Sequence, residues 1–138
     1  MKCALGILLA ALVLLVPPPP TASADLVECA VFGPCLGTDG PDDMNGTDGY
    51  DEIRGFEGPD DIRGMGAGDD LYGGEGRDFV KGNGGDDAMH GGPGADELRA
   101  SSDDSGGDFV DCGGGEDEAW ADPGDAVDPD CETVHYIF

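Results

Sequence analysis

Nine aspartates recur in phase along this chain: Asp42, Asp51, Asp60, Asp69, Asp78, Asp87, Asp96, Asp108 and Asp117. The first seven are nine residues apart, and each of the nine is followed two positions later by an apolar residue. Carboxylates at a fixed period suit the binding of hard cations. Calcium takes six to eight oxygens at about 2.3–2.6 Å, from carboxylates and backbone carbonyls alike. The charge balance points the same way. The chain has 31 acidic and six basic residues, a formal net charge of −25 over 138 residues. So negative a chain repels itself and opposes a compact state unless it has cationic partners. It also lacks the clustered Lys and Arg needed to bind nucleic acid or an anionic membrane.

The elements that must position these carboxylates follow from the repeat. From Gly37 to Arg99 the chain reads as seven contiguous nonapeptides, of which Gly73-Gly74-Glu75-Gly76-Arg77-Asp78-Phe79-Val80-Lys81 is the most regular. Residues 100–102 interrupt, and two further copies follow at 103–111 and 112–120. Residues 122–128 read as a shortened tenth turn. Numbering the columns from one at Gly37, column six is the aspartate. Column eight is Met44, Ile53, Ile62, Leu71, Val80, Met89, Leu98, Val110 and Ala119. Column four is glycine except at Ala67, and column one is glycine in the first seven copies. Column two is Thr38, Thr47 and Phe56 in the early copies.

A disordered acidic linker would share the Gly and Asp content but would not hold an aliphatic residue in phase. Columns seven to nine read as a short strand with column eight inward and its neighbours outward. Column nine holds Arg54, Arg63, Lys81 and Arg99, while column seven holds Asp43, Glu52, Asp61, Asp70 and Glu97. The outer face is therefore a mixed-charge surface. Columns one to six, rich in glycine, read as a turn.

The pattern G-G-x-G-x-D-x-U-x resembles the hemolysin-type, or RTX, calcium-binding repeat. The resemblance covers residues 37–120. It implies an all-β fold, a right-handed parallel β-roll in which two nonapeptides make one coil. It further implies that each calcium ion lies between stacked turns and takes aspartates eighteen residues apart. One edge would stack Asp42, Asp60, Asp78 and Asp96, and the other Asp51, Asp69 and Asp87. About five or more ions are expected. Asp108 and Asp117, after the interruption, are less firmly tied to this scheme. The turn backbone near metal would come from Gly37, Gly46, Gly55, Gly73, Gly82 and Gly91 in column one. In column four it would come from Gly40, Gly49, Gly58, Gly76, Gly85 and Gly94. The displaced pattern at Ala67 and Gly68 implies weaker sites at Asp69. With Val110-Asp111-Cys112-Gly113 and Asp130-Cys131-Glu132 near its end, the chain is similar to short exported proteins of high-GC bacteria.

One aliphatic side chain in nine cannot offset the backbone entropy of so glycine-rich a chain. Ions that bind only the folded turns can close that gap. The chain is therefore expected to be largely unfolded without calcium.

The ends carry separate signals. Lys2, the 13-residue apolar run Ala4–Val16, Pro17–Pro20 and Ala22-Ser23-Ala24 form the pattern of a secretory signal peptide cleaved after Ala24. The run is too short to cross a bilayer core of about 30 Å as a helix. A lipoprotein site at Leu26–Cys29 is disfavoured by Glu28. Residues 25–36 are expected to form an N-terminal cap, with Val31 and Phe32 between two cysteines. Residues 121–138, with Val127, Val134, Tyr136, Ile137 and Phe138, are expected to form a C-terminal cap, as a solenoid requires. An exposed aromatic binding patch is the alternative. In an exported chain the four remaining cysteines, Cys29, Cys35, Cys112 and Cys131, suggest disulfides. Three pairings are possible, and the positions favour Cys29–Cys35 and Cys112–Cys131. A zinc site is weakly supported, with no C-x-x-C and only His90 and His135 as histidines.

No G-x-G-x-x-G, phosphate loop, H-E-x-x-H or G-x-S-x-G occurs, and the reading is not that of an enzyme. His90 falls in column nine, an outward strand position. Asn45-Gly46-Thr47 is a sequon by coincidence of the repeat, and Asp43–Gly46 brings its glycine too early for an EF-hand loop. The function expected is secreted, extracellular calcium binding with a structural or adhesive role. The alternatives are an accessory or secretion-type domain of a toxin or hydrolase system, and an unstructured acidic calcium buffer. No membrane span is expected, and no protein or cell-wall partner is indicated.

Overall fold

The computed structural model describes residues 24–30, 33–100 and 107–138. The signal-peptide residues 1–23, the cap residues Val31 and Phe32, and residues 101–106 around the interruption lie outside the described residues.

Thirteen strands and no helix make up the described chain. Odd-numbered strands form one parallel sheet: β1 (Asp25–Glu28), β3 (Asp42–Asn45), β5 (Asp61–Gly66), β7 (Phe79–Gly84), β9 (Glu97–Arg99), β11 (Glu118–Ala121) and β13 (Thr133–Tyr136). Even-numbered strands form the other: β2 (Cys35–Leu36), β4 (Glu52–Glu57), β6 (Asp70–Glu75), β8 (Ala88–Gly94), β10 (Phe109–Gly115) and β12 (Ala126–Val127). The chain alternates between the sheets at every turn, so it is a parallel β-solenoid of about six coils.

Register follows the repeat. Column eight forms two unbroken ladders inside the roll. One is Val27, Met44, Ile62, Val80, Leu98, Ala119 and Val134. The other is Cys35, Ile53, Leu71, Met89, Val110 and Val127. Column eight from Met44 to Ala119 is wholly buried. A one-residue slip would turn these side chains outward, so the apolar column fixes the register. The segments expected as caps each supply two strands to these same sheets, and Val27, Val127 and Val134 pack against the core.

Apart from β2, β9 and β12, the strands are longer than three residues. Six of them, β4 to β8 and β10, run on through columns one to three, where Phe56 pairs with Gly74 and Met65 with Asn83 of the next coil. The outer faces carry the expected pairs: Arg54 with Glu52 at 2.6 Å, Arg63 with Asp61 at 2.6 Å and Arg99 with Glu97 at 2.7 Å. Exposed pairs of this kind contribute at most about 1 kcal/mol each. Arg99 also lies over Trp120, its ring 4.9 Å away. Disulfides join Cys29 to Cys35 and Cys112 to Cys131, each closing one end of the roll.

Candidate metal centre

The nine aspartates of column six are all buried, none more than 5% exposed. Burying so many carboxylates demands hydrogen bonds or cations. The structure supplies seven of the nine, Asp60 onward, with one bond from a neighbouring coil. Oδ1 accepts the backbone N–H of the aspartate one coil earlier, at 2.8–2.9 Å, from Asp42 N–H to Asp60 Oδ1 through Asp96 N–H to Asp117 Oδ1. The ladders are the two stacks read from the sequence. The steps from Asp87 to Asp108 and from Asp96 to Asp117 span 21 residues instead of 18, so both ladders pass the interruption in phase.

The second oxygen divides the turns into two kinds. In the first two turns it is satisfied locally. Asp42 Oδ2 accepts the Thr38 N–H at 2.6 Å and the Thr38 hydroxyl at 3.1 Å. Asp51 Oδ2 accepts the same two groups of Thr47, at 2.6 and 2.9 Å. In five later turns, Oδ2 of Asp60, Asp69, Asp78, Asp96 and Asp117 is buried with no hydrogen-bond partner. Column two of those turns is Phe56, Met65, Gly74, Gly92 and Gly113, and all five have positive φ, between 83° and 115°. The rotated peptide keeps the column-two amide from the carboxylate that it caps in the threonine turns.

Those unpartnered oxygens are not alone. A Cβ built on Gly73 would lie 2.6 Å from Asp78 Oδ2 and 2.7 Å from the Gly91 carbonyl oxygen. On Gly91 it would lie 2.8 Å from Asp96 Oδ2 and 2.6 Å from the Cys112 carbonyl oxygen. Gly55 and Gly64 are flanked in the same way, by Asp60 Oδ2 with the Gly73 carbonyl and by Asp69 Oδ2 with the Gly82 carbonyl. Column one must be glycine because carboxylate and carbonyl oxygens from adjacent coils crowd the place a side chain would take. Convergent hard oxygens, unpartnered and buried, fit calcium and suit softer transition metals poorly.

Residues 36–70 and 63–98 match the family model of the RTX calcium-binding nonapeptide repeat, which spans four copies. These repeats belong to the RTX calcium-binding family. No curated protein and no solved structure matches the chain.

The electrostatics of the RTX turns are governed by burial. Burial pushes Asp69 and Asp78 up to about 7, and Asp60 and Asp96 up to about 6, against the lowering effect of the backbone N–H each accepts. Asp117 is raised for the same reason. A bound cation would reverse that shift.

The sequence-predicted glycines divide as well. Gly58, Gly76 and Gly85 have positive φ, at 106°, 151° and 120°. Gly40 and Gly49, in the threonine turns, do not, and a Cβ there would approach nothing closer than 3.7 Å. Ala67 takes positive φ, 66°, in the column-four place of glycine, and Asp69 keeps both its ladder bonds at 2.8 Å. Column-nine His90 stacks on Tyr72 at 4.8 Å and meets Asp111 Oδ2 at 3.0 Å on the outer surface.

Two ladder members escaped the sequence reading. Asp125 Oδ1 accepts the Asp108 N–H at 3.1 Å, and Glu132 Oε2 accepts the Asp117 N–H at 2.9 Å. Ala126 pairs with Phe109 and Thr133 with Glu118, so each acid stands in column six. The shortened turn at 122–128 was the available signal for Asp125. Glu132 had none, because the segment before it does not keep the nonapeptide length.

Proposed function

We propose that this chain is a secreted calcium-binding protein whose β-roll is completed by several ions, with a structural or adhesive role outside the cell. The observation that carries the reading is the set of buried, unpartnered Oδ2 atoms facing column-one carbonyls of the next coil. Turns 55–60, 64–69, 73–78, 82–87 and 91–96 would hold ions, about five in all. Their ligands would be the carboxylates of Asp60, Asp69, Asp78, Asp87 and Asp96, together with turn carbonyls such as those of Gly73, Gly82, Gly91 and Cys112. Calcium would supply the positive charge that lets stacked carboxylates remain ionised inside the roll. The aspartates present oxygens from one coil and receive N–H bonds from another. The glycines leave room for both.

Export is supported by the apolar run Ala4–Val16 and by Ala22-Ser23-Ala24. Two disulfides agree with an oxidising compartment. The domain scheme follows: signal peptide 1–24, an N-terminal segment 25–36, repeats 37–120 and a C-terminal segment 121–138. No helix among the described residues is long and apolar enough to cross a membrane.

Calorimetric titration of the protein recovered from the culture medium tests the reading. About five calcium ions should bind, and Asp78→Asn should remove at least one of them. Absence of calcium binding at millimolar ion would overturn it, and an N-terminus other than Asp25 would overturn the cleavage site.

A further inference from the structure

We propose that Asp117, in the last nonapeptide, and Glu132, beyond the repeats, form an additional calcium site at the C-terminal end of the roll, held by the Cys112–Cys131 disulfide. The proposal rests on the reading of the turns as calcium sites, and it extends that reading to a residue no nonapeptide contains.

Turn 112–117 is of the same kind as the central turns. Gly113 in column two has φ of 88°, and Asp117, 2% exposed, has a buried Oδ2 with no hydrogen-bond partner. An RTX turn needs a further coil beyond it to face such an oxygen. Here that coil is the C-terminal segment, where Glu132 occupies the aspartate column and accepts the Asp117 N–H at 2.9 Å. The longer side chain reaches from an exposed backbone position what an aspartate reaches from inside. Glu116, Asp117, Glu118, Glu132 and Thr133 line one open cleft. Its four carboxylates offer hard oxygens, and its open side leaves room for the waters that calcium commonly keeps.

The opposite edge shows the contrast. There Asp125 is the last acid, and its Oδ2 accepts the Asp122 N–H at 2.6 Å, so it is closed within its own turn as Asp42 is at the other end.

The disulfide gives this site a further property. Cys112 opens the turn that ends at Asp117, and Cys131 immediately precedes Glu132. The bond thus joins the two segments that carry the ligands, and it lowers the entropy of bringing them together. Reduction should weaken this site far more than those at Asp60 or Asp69.

The test is calcium titration calorimetry on the intact, disulfide-bonded protein, wild type beside Glu132→Gln. The remote, exposed Glu28→Gln serves as the charge-matched control. The expected result is one ion fewer for Glu132→Gln, with the remaining ions bound as before and Glu28→Gln unchanged. Terbium emission excited through Trp120, the chain's one tryptophan, should fall in parallel, since Trp120 lies on β11 and stacks on His135 at 4.9 Å. If Glu132→Gln no longer folds in calcium, Glu132→Asp decides. A last ion weakened about tenfold supports the site, and wild-type behaviour overturns it. Wild type that binds no calcium would overturn the function itself. Wild type that binds several ions while Glu132→Gln binds the same number with the same affinities would overturn this site alone.

Discussion

The first two turns and the later ones share a template and differ in how they treat the same carboxylate. In Gly37–Asp42 and Gly46–Asp51, a column-two threonine lends both its amide and its hydroxyl to the aspartate. In the turns ending at Asp60, Asp69, Asp78 and Asp96, column two rotates to positive φ and the second oxygen is left without a partner. The threonine turns are closed by the protein's own donors. The others leave that oxygen free for the ion proposed above. Column two therefore decides whether the second oxygen of the aspartate is capped within its own turn, a distinction that a pattern of Gly and Asp alone does not convey.

The largest effect expected from this difference concerns calcium withdrawal. At neutral pH a chelator should abolish most of the β structure, with hydrogen exchange protection lost across 55–98 before 37–51 as calcium becomes limiting. Each coil contacts only its neighbours, so partial loss of this kind is possible in a solenoid. Simultaneous loss of protection at both sets of turns, at every calcium level, would break the distinction.

Acidification should partly replace the ion. Asp60, Asp69, Asp78 and Asp96 have folded pKa values raised to about 6 or 7 by burial. A carboxylate raised in this way favours the folded state below its ordinary value of about 4, and that contribution is lost as pH rises through the folded value. In chelator, β content should thus increase as pH falls from about 8 to about 5. In calcium the dependence reverses, because protons compete for the same oxygens. Circular dichroism in chelator that is flat over this range would show that the later carboxylates do not govern folding.

Glycine substitutions probe the backbone side of the comparison. Gly58 has φ of 106°, and a Cβ there would lie 2.8 Å from the Gly40 carbonyl carbon. Gly40 is the equivalent residue of a threonine turn, with only Thr38 Oγ1 within reach at 3.8 Å. In saturating calcium, Gly58→Ala should cost about 1–3 kcal/mol of stability. Gly40→Ala should stay within about 0.5 kcal/mol of wild type. Equal effects in urea unfolding would mean that the two turns do not differ in backbone strain.

Much of this was legible beforehand because the signal is periodic. The inward column eight follows from the nine-residue phase, and the parallel sheets and aspartate stacks from the family resemblance that this phase carries. What was hidden lies where phase is lost or where conformation, not identity, carries the information. Cys35 and Val27 extend the apolar ladders from a segment with no repeat. Glu132 joins the aspartate ladder after a stretch of another length, and spacing cannot announce it. The rotation at column two is invisible because Phe56, Met65 and Asn83 adopt it although their side chains disfavour it.

That last point yields the smallest effect and the finest test. Phe56 has φ of 83° and Met65 of 89°, a region that glycine occupies freely and other residues enter at a cost of about 1 kcal/mol or more. Phe56 is also 45% exposed, so it recovers little of that cost through burial. The open form of this turn is then held against local preference, as a bound ion would hold it. Phe56→Gly should raise stability in calcium by about 1 kcal/mol, less the entropy glycine adds to the unfolded chain. Thr47→Gly should do the opposite, since it removes the hydroxyl that bonds Asp51 Oδ2 at 2.9 Å and frees a turn closed by its own donors. The sign of the pair is the informative quantity. If both variants shift the urea midpoint in the same direction, column two does not select between the two kinds of turn.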